Sequence, residues 1–361
     1  MPESSIVVRP EPMDSGTYTA GSRLQAAGLS QAIAVFEQAA AAVPLPDPPQ
    51  PIVVADYGAA SGHNSLLPLG GAIAVLRGRT RPEHSILIAH TDRPDNDFTA
   101  LFRTLEDDPD TYLRKDRVAF ASAVGRSFYS QILPSNSVHL GWSAWAIQWL
   151  SKTPAAIEGH IHAALCDDEQ ARAAHAKQAA RDWHEFVAFR GRELCPGGRL
   201  VVMTMAVGDD GEFGFRTLLT ALVDALDELA GEDMLQAREV AQMCIPTYAR
   251  RASEFAAPFA PSGRFEGLEI AHLDVFDAED RFWHRYQIDK DAAAFGARWA
   301  GFARASVFPA LLTALDGGPG DPRVDELFDR LEKSVADRLA AAPEPTQIPL
   351  AHVVLHKRPK T

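Results

Sequence analysis

A short apolar run that ends in a glycine loop constrains the fold of this chain more than any other feature. Residues 52–56 read IVVAD, and residues 57–64 continue as YGAASGHN. A β-branched run of this length, stopped by glycine, predicts a buried strand. Gly58 and Gly62 would let the backbone adopt positive φ and approach a ligand closely. Ligands of open α/β sheets bind at the carboxyl ends of the strands, so we expect a ligand site at this loop.

The pattern of the loop narrows the class of ligand. It reads D-x-G-x-x-x-G, which differs from the dinucleotide fingerprint G-x-G-x-x-G and lacks the Lys-Ser/Thr of a phosphate-binding P-loop. The acidic residue before the loop, Asp56, suits a ligand with a cationic amino acid end better than a pyrophosphate. This favours S-adenosylmethionine over NAD or ATP. A plain strand-to-helix turn without a ligand is the alternative interpretation.

Asp92 ends the next predicted strand. A carboxylate at that position can accept hydrogen bonds from both hydroxyls of a ribose, as the acidic residue of dinucleotide sites does. Its distance from Gly58 along the chain is longer than the spacing of about 20 residues that such sites use. A helix N-cap or a turn aspartate is the alternative role, and spacing alone does not choose between the two.

Strands and helices alternate along most of the chain, which predicts an α/β fold with an open, mostly parallel sheet. We expect a helix over 22–43, a second helix after residue 65 and a long helix over 168–194 that stops at residues 195–198 (CPGG). Residues 212–262 and 290–342 are largely helical in pattern. Further strands are predicted at residues 85–90, 118–124, 137–140, 200–205, 268–275 and 351–356.

Composition excludes several classes of function. The formal net charge is −13, and a nucleic-acid partner would require a basic face. Cys166, Cys195 and Cys244 lack the spacing of a zinc site or a disulfide framework, which fits a reducing cytoplasmic location. The 12 histidines are scattered, so no metal site is expected. No apolar run reaches the roughly 18–20 residues that span a bilayer, and we find no secretory signal.

Three tryptophans lie close together, at positions 142, 145 and 149. Trp145 and Trp149 have i, i+4 spacing, so we expect them to share one face of a helix. Core packing is the more common role of such a pair.

In addition, the chain resembles the SABATH carboxyl methyltransferases, typified by the plant salicylate and jasmonate enzymes, and their bacterial relatives. Residues 92–98 (DRPDNDF) match the family string D-L-P-x-N-D-F, and residues 56–64 are similar to D-L-G-C-S-S-G-P-N. The other similar segments are residues 18–25 (YTAGSRLQ), 125–129 (GRSFY), 143–154 (SAWAIQWLSKTP), 189–199 (FRGRELCPGGR), Pro246 with Tyr248, Ser253 and Glu254, and Arg304 with Ala305.

The resemblance implies a Rossmann-like class I methyltransferase sheet with a helical cap inserted over its carboxyl edge. We expect a single methyltransferase unit over residues 1–361. Its Rossmann-like core would comprise approximately 50–210, 264–278 and 345–358, and its cap approximately 212–262 and 285–342. Members of the family are commonly dimeric, so a homodimer is expected, with neither nucleic acid nor membrane as partner.

The resemblance also implies the site residues. S-adenosylmethionine, and its product S-adenosylhomocysteine, would contact Tyr18, Ser22, Asp56, Gly58, Gly62, Asn64, Asp92, Arg93, Ser127 and Phe128. The substrate carboxylate would be gripped by Gln25 and Trp149. Trp145, Gln148, Ala303 and Ser306 would line the rest of the acid pocket. The chain departs from the family at Ala303 and Ser306, which are smaller than the residues of several plant members. The basic residue that aromatic-acid enzymes place near the N-terminus is also absent, apart from Arg9.

The chemistry that these residues imply is simple. A carboxylate with a pKa near 4–5 is ionised at pH 7, so no general base is required. The amide of Gln25 and the indole N–H of Trp149 are neutral donors that orient the carboxylate without neutralising it. Catalysis would then consist of an in-line SN2 transfer in a site that excludes water, without a metal.

The expected product is the methyl ester of a small apolar acid, whether fatty, terpenoid or aromatic. The small side chains of Ala303 and Ser306 predict that medium-chain fatty acids are better substrates than salicylate or benzoate, as for a fatty acid O-methyltransferase. Two alternatives stay open: an N-methyltransferase that acts on a small heterocycle, and a non-catalytic cofactor-binding protein. A reductase is disfavoured because G-x-G-x-x-G is missing.

Overall fold

A seven-stranded sheet organises the part of the chain that this computed structural model describes, residues 30–359. The strands are β1 (Ile52–Tyr57), β2 (Ile86–Asp92), β3 (Ala119–Gly125), β4 (Val138–Ala144), β5 (Leu194–Met205), β6 (Leu268–Asp277) and β7 (Pro349–Lys357). Their order in the sheet is β3-β2-β1-β4-β5-β7-β6. Each predicted strand corresponds to one of these strands, and the predicted α/β fold with an open, mostly parallel sheet is confirmed.

The first five strands run parallel, and β7 is antiparallel to both of its neighbours. Strand order reverses between β1 and β4, because β2 and β3 extend the sheet on one side of β1 and the later strands extend it on the other. Such a switch point opens a crevice outside the carboxyl ends of the two central strands, where open α/β sheets bind ligands. The glycine loop that follows β1 therefore lies at this crevice.

Helices cover both faces of the sheet and form most of the segments between β5 and β7. The helices are α1 (Ser30–Ala42), α2 (His63–Arg77), α3 (Phe98–Asp107), α4 (Tyr112–Lys115), α5 (Glu169–Glu193), α6 (Arg216–Gly231), α7 (Ala237–Val240), α8 (Ala252–Ala256), α9 (Arg281–Asp289), α10 (Ala292–Ser306), α11 (Phe308–Leu311) and α12 (Val324–Ala341). The side chains of Asp97 and Asp168 cap the N-termini of α3 and α5, where each accepts a backbone N–H. No helix within residues 30–359 combines the length and the apolar character needed to cross a bilayer.

The helices α6, α10 and α12 share an apolar cluster, here called the helical cluster. Its members include Leu222, Phe295, Trp299, Ala303 and Leu331. A Cβ added to Gly296 would lie 2.2 Å from the carbonyl oxygen of Ala336, so α10 and α12 pack with their backbones in close approach. The cluster also contains Trp149, which lies outside these helices.

The sequence prediction was wrong about the segment around the three tryptophans. Trp142 lies in β4, and Trp145 follows that strand with φ 56° in a turn, so Trp145 and Trp149 do not share a helical face. The i, i+4 spacing of two large apolar residues arises equally well in a turn that is buried by tertiary contacts.

The long helix ends just before residues 195–198, as expected. These residues do not form a separate turn, however, but lie within the next strand. Helix α5 ends at Glu193, and β5 begins at the next residue. The register between β4 and β5 shifts from Val138 opposite Leu194 to Leu140 opposite Arg199. Residues 195–198 therefore form a bulge, in which Gly197 has φ 85°.

Candidate active site

The first turn of the glycine loop requires glycine. Gly58 has φ 89°, and its N–H donates to the carbonyl of Thr91 at 2.9 Å. A Cβ at this position would lie only 2.4 Å from the Cβ of Ala146. The loop after β1 and the turn after β4 therefore pack together at the crevice, and a side chain on Gly58 would separate them.

The second half of the loop is tied to the end of β2. Gly62 has φ 85° and immediately precedes α2. Asp92 is buried, and its Oδ2 accepts the N–H of Ala60 at 2.8 Å, while its Oδ1 accepts the N–H of Arg93 at 2.7 Å. Asp92 is the last residue of β2 and Asp97 caps α3, so the N-cap alternative for Asp92 is wrong. Asp92 instead holds the loop at the carboxyl edge.

A buried chain of three polar side chains begins at Asp56. The Oδ2 atom of Asp56 lies 2.8 Å from Nδ1 of His90, and Nε2 of His90 lies 2.8 Å from the hydroxyl of Tyr112. All three residues are fully buried. Burial next to Asp56 raises the pKa of Tyr112, so its O–H stays intact and can donate to His90, whose Nδ1–H then donates to Asp56.

The second carboxylate oxygen of Asp56 has no hydrogen-bond partner among the described residues. A fully buried carboxylate oxygen that lacks a donor is costly, and native structures seldom leave one unsatisfied. Asp56 directly precedes Tyr57 and the Gly58 turn, so a donor or cation bound at the loop could satisfy this oxygen.

A second buried network fixes the segment that contains Ser127 and Phe128. Arg190 donates to the carbonyl of Phe128 at 2.7 Å and to that of Ser130 at 2.9 Å, and it pairs with Glu193 at 2.8 Å. Phe128 is buried in a T-shaped contact with Phe186, at 5.8 Å between ring centroids. Ser127 is exposed at the same edge.

Glu193 extends this network to the glycine loop. Its carboxylate accepts the N–H groups of Ile132 and Leu133 and the hydroxyl of Tyr57, the last at 2.8 Å. Burial raises the pKa of Tyr57 well above its ordinary value, so Tyr57 remains a donor. Arg190 and Glu193 belong to the segment 189–199 that resembles the family, but the sequence analysis assigned them no role. Their i, i+3 spacing at the end of a predicted helix is the sequence feature that indicates this ion pair.

Hydrogen bonds from one buried side chain stabilise the turn after β4. Gln148 is fully buried, and its amide donates to the carbonyl of Trp145 at 2.6 Å and accepts the hydroxyl of Thr204 at 3.1 Å. Both ends of the Gln148 side chain are therefore used within the protein. Trp145 packs against the helical cluster and also against the cluster beneath β1 and β4.

Trp149 is 3% exposed and belongs to the helical cluster together with Ala303. Its indole N–H has no partner among the described residues, and the same is true of Trp142 and Trp299. Trp149 differs from these two in its position, because its backbone N–H donates to the carbonyl of Ala146, which packs on Gly58. The backbone of Trp149 is thus linked through Ala146 to the glycine loop.

The remaining predicted residues are placed as follows. Asn64 lies in the first turn of α2, and Arg93 pairs with Asp95. Ser306 is buried on α10, where its hydroxyl donates to the carbonyl of Phe302 at 2.6 Å. Tyr18, Ser22 and Gln25 lie outside the described residues. Within residues 30–359, no group of three or more His, Cys, Asp or Glu residues is placed to hold a metal ion.

Comparison with known proteins adds to this geometry. Residues 11–358 match a family model described as SAM dependent carboxyl methyltransferase. Salicylate carboxymethyltransferase of Clarkia breweri is 27% identical over 305 residues, which cover 80% of each chain. Gibberellic acid methyltransferase 1 of Arabidopsis thaliana is 28% identical over 315 residues, or 81% of this chain and 80% of that protein. A solved structure of loganic acid methyltransferase with SAH matches with a TM-score of 0.73 at 22% identity, covering 96% of this chain and 98% of that one.

Proposed function

Because the chain belongs to the SAM-dependent carboxyl methyltransferases, we propose that it methylates the carboxylate of a small apolar acid and releases the methyl ester with S-adenosylhomocysteine. One observation carries the proposal: a buried acceptor and a buried donor, neither with a partner among residues 30–359, belong to two segments that a single contact joins. Gly58 and Ala146 form that contact. The acceptor, Asp56 Oδ1, lies two residues before Gly58, and the donor is the indole of Trp149, whose backbone N–H donates to the carbonyl of Ala146.

The described residues fit S-adenosylmethionine. Asp56 Oδ1 would accept hydrogen bonds from its cationic amino group, because this oxygen has no partner among residues 30–359, and Asp92 would accept from the ribose hydroxyls. Tyr18, Ser22, Gly58, Gly62, Asn64, Arg93, Ser127 and Phe128 would complete the contacts. When bound, this cofactor supplies a methyl group already activated by a sulfonium.

The chain's own contribution is to orient the acid and exclude water. The Trp149 indole N–H, together with Gln25, would donate to the carboxylate, and the helical cluster would bury the apolar remainder of the acid. An ionised carboxylate is already nucleophilic at pH 7, so no residue has to remove a proton. Neutral donors hold the carboxylate without the strong ground-state stabilisation of a salt bridge.

We predict that the side chain at position 303 determines which chain length of acid is the best substrate. This residue is fully buried in the helical cluster, and each methylene that a longer acid buries there stabilises binding by about 0.8 kcal/mol. Octanoate or decanoate should therefore exceed benzoate and salicylate in kcat/KM. Ala303→Met should shift the optimum to an acid about two carbons shorter. Ala297→Met, at an exposed position of α10, is the matched control. A benzoate-sized optimum in the unsubstituted protein would contradict this account of the pocket.

We predict that turnover survives removal of divalent metal ions. The proposed reaction uses an ionised nucleophile and neutral donors, so no Lewis acid is needed. The initial rate should be the same, within error, before and after dialysis against EDTA. A rate that disappears with EDTA and returns with one specific divalent ion would show that the site needs a metal.

The assembly is a separate proposal. We expect a homodimer, because members of the family are commonly dimeric. Light scattering at micromolar concentration should give about twice the mass of the chain, and a monomer mass under those conditions would refute it.

A further inference from the structure

Trp149 lies directly opposite Thr247 in an isolated antiparallel bridge. Two backbone hydrogen bonds, both 2.8 Å long, flank this pair. The N–H of Leu150 donates to the carbonyl of Pro246, and the N–H of Tyr248 donates to the carbonyl of Gln148. That arrangement defines a non-hydrogen-bonded antiparallel pair, whose Cα atoms lie about 4.5 Å apart and whose side chains share one face. The Thr247 side chain therefore lies beside that of Trp149.

The residues on either side of Thr247 also indicate that its side chain faces that of Trp149. Ile245 and Ala249, two positions on either side of Thr247, belong with Trp149 to the helical cluster. Thr247 itself is 5% exposed, so a hydroxyl group interrupts an apolar row at the position next to the proposed carboxylate donor. A buried hydroxyl in such a row is costly unless it is hydrogen-bonded.

The hydroxyl oxygen of Thr247 is held by a buried histidine. Nδ1 of His162 accepts the N–H of Ala164 at 3.2 Å, which places the ring hydrogen on Nε2. Nε2 lies 3.0 Å from Oγ1 of Thr247, so His162 donates and Thr247 accepts. The ring also stacks on Phe213 with 4.3 Å between centroids. Burial, with His160 and His175 nearby, lowers the pKa of His162 to about 3, and the ring stays neutral.

This assignment leaves the hydroxyl hydrogen of Thr247 without an acceptor among residues 30–359. We propose that Thr247 is a substrate-contacting residue that donates this hydrogen to the acid's carboxylate beside the Trp149 indole, with His162 as its positioning residue. The inference rests on the proposed function. It adds a third neutral donor, supplied by a segment about 100 residues away from Trp149 in the chain.

The test compares Thr247→Val, which removes only the donor, with Thr247→Ser, which keeps it. His162→Gln retains an N–H donor, and His162→Phe retains only the stacking surface. Thr313→Val is the matched control, because the Thr313 hydroxyl already donates to the carbonyl of Ala310. Each variant is assayed for kcat and KM with octanoate, decanoate, benzoate and salicylate, and for S-adenosylhomocysteine affinity by calorimetry.

We expect Thr247→Val to lower kcat/KM for the best acid about tenfold, mainly through KM, as for a lost hydrogen bond to a charged group. S-adenosylhomocysteine affinity should stay within twofold of the wild type. Thr247→Ser and His162→Gln should retain most of the activity that Thr247→Val and His162→Phe lose.

Other outcomes overturn the inference. A Thr247→Val protein with wild-type kinetics would show that the hydroxyl does not touch the acid. Losses in Thr247→Val that also remove S-adenosylhomocysteine binding, or that Thr247→Ser does not reverse, would assign Thr247 to folding. If the wild type esterifies none of the acids, the proposed function itself fails and the inference falls with it.

Discussion

Replacement of Asp56 by asparagine is expected to weaken S-adenosylhomocysteine binding about 100-fold, because it removes the charge that faces the cationic amino group of the cofactor. Asn has the same shape, and its amide oxygen can still accept from His90. Packing around the glycine loop should therefore persist. Isothermal titration calorimetry measures the affinity, and thermal unfolding of the same preparation checks the fold.

Asp110→Asn is the control for this prediction, since Asp110 is exposed and pairs only at the surface with Lys115. His90 offers a second comparison. His90→Leu leaves the buried Asp56 carboxylate without its donor and should weaken binding about tenfold, whereas His90→Asn keeps an N–H near the position of Nδ1 and should weaken it less. Unchanged affinity in Asp56→Asn would contradict the placement of the amino acid end of the cofactor.

Replacement of Trp149 by phenylalanine is expected to lower kcat/KM for the acid by about 100-fold, while S-adenosylhomocysteine affinity stays unchanged. Phe fills much of the same apolar volume but lacks the indole N–H, so the carboxylate loses a charge-assisted hydrogen bond. Steady-state kinetics with the best acid of the length series, together with calorimetry, separate the two effects.

Trp299→Phe is an exacting control, because the Trp299 indole N–H is also buried without a partner in the same helical cluster. We expect a much smaller loss of activity, since Trp299 lies on α10, whereas Trp149 follows Ala146 in the turn that packs on Gly58. Equal losses in the two variants would mean that the unpartnered indole alone does not identify the carboxylate donor.

Local patterns in the sequence predicted the sheet well. The apolar run before Gly58, and the similar runs that follow it, each became a strand, because a short apolar run bounded by turn residues is recognisable as a strand. The role of Gly58 was also predictable, since positive φ and close backbone approach both favour glycine.

Contacts between distant parts of the chain were not predictable. Glu193 meets Tyr57 across 136 residues, and Asp56 meets His90 across 34. No spacing rule connects such residues, so the polar networks behind the loop appear only once the strands are aligned. The turn over residues 145–149 was misjudged for the same reason. Its shape depends on the Gln148 side chain bonding to Thr204 on another strand.

The chemical identity of the product tests the central claim most directly. The wild-type protein is incubated with methyl-¹³C S-adenosylmethionine and a panel of octanoate, decanoate, benzoate, salicylate and xanthine, and the products are extracted and identified by mass spectrometry. We predict labelled methyl esters of the carboxylic acids, with the medium-chain acids most abundant and xanthine unchanged. Labelled N-methylxanthine in place of the esters, or cofactor binding with no transfer to any acid, would contradict the assignment of this protein as a carboxyl methyltransferase.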